Sequence, residues 1–133
     1  MDDAESLRTL LASLPDALVV ADPAGVIRSW NTPAERRFGF SAAEAIGASL
    51  DLLVPVRFKP AHDNGFTRAV ATGTLRVGGR VLRTRSNHKA GRKLYVDFTF
   101  SLWKDDAGQV VGVCAIARDA TELHLQQQAA AAR

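Results

Sequence analysis

The chain has 133 residues, 47% of them hydrophobic and 23% charged, with a net charge of +3. That is enough for one compact core and too little for two, and no apolar run approaches the roughly 20 residues that span a bilayer. One cysteine, Cys114, excludes an internal disulfide and a cysteine-based zinc cage. The start, MDDAESL, is acidic where a signal peptide is basic, so a cytoplasmic protein without a membrane association is expected.

The charge is unevenly spread. No acidic residue lies between Asp63 and Asp97, whereas Arg68, Arg76, Arg80, Arg83, Arg85, Lys89, Arg92 and Lys93 all fall there. The tract reads first as a solvated sheet face that resists edge pairing, and second as an anion site. It lacks the interleaved aromatics of a stacking platform, so nucleic acid is not expected as a partner.

In chain order, Leu7, Leu10, Leu11 and Leu14 recur at helical spacing, which predicts an amphipathic helix over 3–14 with Asp2 or Asp3 at its start. ALVVAD (17–22) and VIRSWN (26–31) read as strands joined by a turn at Pro23, Ala24 and Gly25. Thr32-Pro33 opens a short helix through Phe38, and Ser41-Ala-Ala-Glu44 is a capping box for another that ends at Gly47. A longer helix starts between Arg57 and Pro60, carries His62, and stops before Thr72-Gly73. VLRTRSNH (81–88), KLYVDFTFSLW (93–103) and VVGVCAIA (110–117) are three further strands. Leu94, Val96, Phe98, Phe100 and Leu102 alternate onto one face of the middle one. Asp119-Ala-Thr-Glu122 reads as a second capping box that launches a polar helix. The expected class is α+β, with an antiparallel sheet of about five strands. The organisation is an N-terminal helix (1–15), a core domain (16–119) and an exit helix (120–133).

VVADPAGVIRSWN, AERRFGFSAAEAIG, HKAGRKLYVDFTFSLWKDDAG and VGVCAIARDATE, in this order over roughly residues 12–122, resemble the PAS domain family. The resemblance implies a five-stranded antiparallel sheet with short helices on one face, flanking terminal helices, and a cavity between sheet and helices. It also implies a sensory role, with the Asp-x-Thr-Glu step passing a signal to an output protein such as a kinase or transcription regulator. The helix 119–133 is too short to be an effector, so the chain is either a small sensor or one module of a longer protein.

The flavin branch of the family needs a reactive cysteine in a helical motif. Cys114 lies instead in the last strand, so flavin–cysteine photochemistry is not expected. VPVRFKPAHDNGFTRAV resembles the helix of the haem-binding, FixL-like PAS oxygen sensors, including Pro60-Ala61-His62. That resemblance implies haem b with His62 as the axial metal ligand. Phe58, Phe66 and Val70 would form an apolar wall beside it, and Phe98 and Phe100 would crowd the distal side. Where those sensors carry a distal arginine this chain has Leu82, a departure, with Arg80 and Arg83 flanking it.

Three readings stay open from the sequence. The domain binds haem and senses redox state or a diatomic gas; or it is haem-free and binds a small, acidic metabolite; or it is a ligand-free dimerisation module. A homodimer suits all three, because the leucine stripe of 3–14 wants cover. No Ser/His/Asp order, phosphate-cradling glycine loop or HExxH occurs, so catalysis is not expected. His88 reads as a solvated turn residue, and His124 has no partner at metal-ligand spacing.

Overall fold

The computed structural model describes residues 2–132; Met1 and Arg133, the outermost residues of the two expected terminal segments, lie outside the described residues. The elements are α1 (Asp3–Ser13), β1 (Ala17–Ala21), β2 (Ile27–Trp30), α2 (Thr32–Phe38), α3 (Ala42–Ala45), α4 (Lys59–Thr72), β3 (Leu82–Ser86), β4 (Leu94–Lys104), β5 (Val110–Asp119) and α5 (Thr121–Ala131). Two short 3₁₀ turns, Leu50–Leu52 and Val56–Phe58, lie between α3 and α4. Among the described residues the strands form one antiparallel sheet in the order β2-β1-β5-β4-β3, which is the α+β architecture expected.

Local chemistry sets the boundaries. Asp2 starts α1 as half of a capping box, its Oδ1 accepting from the Glu5 N–H at 2.7 Å. The leucines of α1 stay exposed: Leu7, Leu10 and Leu11 all keep large solvent-facing areas. In the β1–β2 turn, Asp22 Oδ1 accepts the amides of Ala24 and Val26 while Gly25 takes a φ of 83°, open to glycine at little cost. The Val26 amide holds the Asp22 carboxyl below its ordinary range; burial opposes it, and Arg28 and the Ala24 amide add to the lowering. Asn31 bolts strand to helix. Its Oδ1 accepts from Leu18 N and Ala34 N, and its Nδ2 donates to Asp16 O.

The core lies between the sheet's inner face and α2–α3. Phe38 and Ile27 are fully buried, and Trp30, Phe38 and Phe98 form a chain of rings with centroids 5.4 Å and 6.4 Å apart. Trp30 Nε1 donates to Phe40 O at 2.9 Å, which satisfies its one polar atom. α2 ends at Gly39 with φ 81°, and a Cβ there would lie 2.7 Å from His88 Cε1. His88 is therefore not the solvated turn residue expected. Its ring packs on Gly39, its Nδ1 accepts from Ala90 N, and burial, then Arg92, lowers its proton affinity.

The second expected capping box does not form. Ala120, 3% exposed, occupies the cap position of α5, and its methyl side chain can accept no hydrogen bond. Asp119 Oδ1 instead accepts from Thr121 N, and Thr121 Oγ1 accepts from Tyr95 N, so the hydroxyl serves the sheet rather than the helix end. The other box, Ser41–Glu44, forms as expected.

Two outcomes follow from these contacts. Phe98→Ala empties the sheet end of the ring chain and should cost about 3–5 kcal/mol in chemical denaturation, the range for large-to-small core changes. Glu44 joins α3 to the β3–β4 loop through Lys89 Nζ at 2.6 Å. Its bond from Lys89, then the Ser41 N–H, brings the carboxyl from 4.5 down to about 2. A depressed carboxylate contributes stability that is complete above its unfolded pKa and is lost as pH falls through the folded one. The melting temperature should therefore fall between about pH 4.5 and 2, and fall less steeply in Glu44→Gln.

Candidate functional site

α4 is where packing weakens. Pro60 sits in its first turn, where a missing N–H costs nothing, and Gly73 ends it in the left-handed region at φ 69°. Of its described residues Ala69 alone is buried, so α4 rides over the domain instead of sinking into it. α2 and α3, by contrast, pack closely on β1 and β2.

His62 and Phe66, four residues apart, share one face of α4, with ring centroids 6.1 Å apart and planes inclined by 25°. Both face the β1–β2 turn, and Phe66 Cε1 lies 3.8 Å from where a Cβ on Gly25 would stand. Around them is a cavity of about 250 Å³, lined also by Ala24, Ser49, Asp51, Asp63 and Thr67. The His62 side chain is 35% exposed, yet its Nδ1 is sealed from solvent and has no hydrogen-bond partner among the described residues. The nearest carboxylate oxygen, Asp63 Oδ1, is 3.8 Å away, beyond hydrogen-bond range. Asp51, His62 and Asp63 each bring one ligand atom within 4.8 Å of the others, a spread that must contract before the three could grip one ion.

The remaining sequence-derived site residues are not gathered at this cavity. Phe98 is 7% exposed in the core, with Phe100 beside it at 5.3 Å between centroids on the same inner face. Val70 is half-buried near the end of α4. Leu82, opposite Phe98 on edge strand β3, is 39% exposed. Phe58 is exposed before α4, with the Arg57 guanidinium 4.6 Å above its ring. The cavity thus unites His62 with Phe66 and adds Gly25, Ser49, Asp51 and Thr67. Of these, only the turn at Pro23, Ala24 and Gly25 was visible in sequence, and a turn does not signal a cavity.

The donor set suits haem in chemistry: an imidazole whose Nδ1 lacks a partner, with the carboxylates of Asp51 and Asp63 near it. It does not suit it in volume. A drug-sized ligand fills roughly 300–1,000 Å³, more than the present space, so α4 must move outward to admit a porphyrin. Arg83, on the other side of β3 from Leu82, is engaged with Asp97 at 2.7 Å and does not turn inward. Cys114 is half-buried opposite Ser101 and Val20, and burial pushes its thiol up, away from reactivity.

Among the described residues no helix is long and apolar enough to cross a membrane. The Sensor protein FixL of Bradyrhizobium diazoefficiens is 38% identical over 73 residues, 55% of this chain and 14% of FixL. The Oxygen sensor protein DosP of Escherichia coli is 32% identical over 92 residues, 69% of this chain and 11% of DosP. The chain thus spans well under a fifth of either relative's length. Among solved structures, the PAS domain of a Colwellia psychrerythraea protein superposes with a TM-score of 0.78 at 26% identity, covering 91% of this chain and 99% of that one. The family profile described as the PAS fold matches residues 11–125, and with the sheet, the helices and these relatives in agreement, the chain belongs to the PAS family.

Proposed function

We propose that this sensory PAS domain binds haem b through His62 and reports redox state or a diatomic gas to a partner. The observation that carries the reading is the imidazole of His62, its Nδ1 sealed and unpartnered, on a helix resembling that of haem-binding sensors. The likeness to a protein named as an oxygen sensor adds the class of signal. When bound, haem supplies an iron that changes redox state and takes a small diatomic ligand.

The chain's own residues would do the rest. His62 donates a ring nitrogen, and a carboxylate of Asp51 or Asp63, drawn closer, accepts from the other and fixes the tautomer. Phe66 backs the imidazole. With α4 moved outward, Val70 on the helix and Phe98, Phe100 and Leu82 on the inner sheet face would supply the apolar wall of the enlarged space. The leucine face of α1, exposed at Leu7, Leu10 and Leu11, suits a second copy of the chain, which would bring two sensors to one output protein such as a kinase or transcription regulator.

The cavity as it stands favours a second reading, a small polar ligand without haem. Its lining carries Asp51 and Asp63 and none of the arginines of the basic tract, so a neutral or cationic molecule fits better than an acid.

Reconstitution with haem decides between the two. The wild type should develop an intense Soret band, and His62→Ala should lose it while keeping its circular dichroism. Absence of the band in the wild type ends the haem reading. A melting temperature raised by small amines or neutral metabolites but not by carboxylates would then support the second.

A further inference from the structure

Three groups able to hold a metal ion meet at the cavity from two separate segments. Asp51 is the middle residue of the first 3₁₀ turn, while His62 and Asp63 lie near the start of α4. Each offers one ligand atom, and these atoms lie within 4.8 Å of one another. Around a zinc ion, bonds of about 2.0–2.2 Å set tetrahedral ligand atoms about 3.4 Å apart. His62 Nδ1 and Asp63 Oδ1, at 3.8 Å, are already near that spacing. The widest pair has at most about 1.4 Å to close, the reach of a side-chain rotation.

Nothing holds the three apart except their own charge. Among the described residues neither the Asp51 nor the Asp63 carboxylate accepts a hydrogen bond, and the Asp63 side chain is 62% exposed and free to turn. The sealed Nδ1 of His62 is a separate sign, since a polar atom closed to water is ordinarily paired. The cavity lining holds two carboxylates and no lysine or arginine. Like charges this close repel, and a divalent cation between them turns the repulsion into attraction. One imidazole with two carboxylates suits zinc or manganese better than calcium or magnesium, which take oxygen ligands alone. The space of about 250 Å³ leaves room for water to complete the shell.

We infer that Asp51, His62 and Asp63 form a site for a first-row divalent cation such as zinc, which pins α4 to the first 3₁₀ turn across the cavity. With Ala69 alone buried among its described residues, α4 has little else to fix it there. The inference goes beyond the haem reading and does not rest on it. Both claim His62, however, so an ion in the closed cavity and a haem in the enlarged one exclude each other.

Calorimetric titration of the haem-free, untagged chain with zinc tests the site. The wild type should take one zinc ion per chain, melt at a higher temperature with it, and ignore magnesium at the same concentration. His62→Ala and Asp51→Asn, with circular dichroism unchanged, should each weaken zinc binding by at least the roughly 10–100-fold that loss of even an outer partner costs. His124→Ala, which alters a histidine away from the cavity, should bind as the wild type does. Asp51→Asn discriminates best, because Asp51 reaches the ion only if the turn and the helix close on it together. Amides of α4 should exchange more slowly with zinc in the wild type and not in Asp51→Asn. No saturable zinc binding, or binding left unchanged in either cavity variant, would overturn the site. Zinc binding with the expected pattern in a chain that never develops a Soret band keeps the site and ends the haem reading. A Soret band in a chain indifferent to zinc overturns the site and leaves the haem reading standing.

Discussion

The two-residue period of β4 places two packed surfaces of this domain back to back. Leu94, Val96, Phe98, Phe100 and Leu102 turn inward, and Tyr95, Asp97, Thr99, Ser101 and Trp103 turn outward. Because β4 is hydrogen-bonded to β5 on one side and β3 on the other, its register cannot slip by one residue without exchanging the core for the solvent face. The inner row supplies the ring chain to Phe38, while the outer row supplies Tyr95, whose ring stacks on His124 of α5 with centroids 3.9 Å apart.

Burial along that row is graded. Leu94, Val96 and Phe98 are buried, whereas Phe100 and Leu102 are only partly so. The buried end of β4 belongs to the cluster that holds Phe38, Ile27 and Trp30, and the other end lacks such cover. The molecule thus has a firm half, tied by Asn31, the Gly39–His88 contact and the Glu44–Lys89 pair, and a soft half under α4. Ligand-binding segments are drawn from the less stable part of a fold, since a part that must move cannot also carry the core.

Much of the firm half was legible in sequence. Thr32-Pro33, Ser41–Glu44 and the strict alternation of 94–102 are local signals, and the elements fall where they point. The PAS family itself was legible for the same reason: its motifs are turns and caps in a fixed order. What sequence could not give depends on distant neighbours. Asp119–Glu122 has the pattern of a capping box, but the amide of Ala120 is drawn to the distant Tyr95 carbonyl, Asp119 Oδ1 closes on Thr121 N, and the box does not form. His88 has the look of a solvated turn residue until Gly39 arrives against its ring. The orientation of His62 toward Gly25 and Asp51, and the small cavity it lines, are set by segments 11 to 37 residues earlier, and no spacing within α4 encodes them. The bond from Arg83 to Gln127 across 44 residues was equally invisible.

The looseness of α4 bears directly on whether the cavity can grow. Lifting the helix would expose Ala69 and parts of Phe66 and His62. At roughly 25 cal/mol per Å² of apolar surface, that amounts to about 1–3 kcal/mol. A minor state at that height is populated at roughly 1–15%, so a ligand that binds only the opened form loses a factor of about 5–150 in apparent affinity. Had α4 been packed as α2 is, with Phe38 and Ala34 fully buried, the same movement would cost several times as much and no ligand of ordinary affinity could drive it. The scant burial of α4 is therefore what leaves a cavity too small for a large ligand open to enlargement by one.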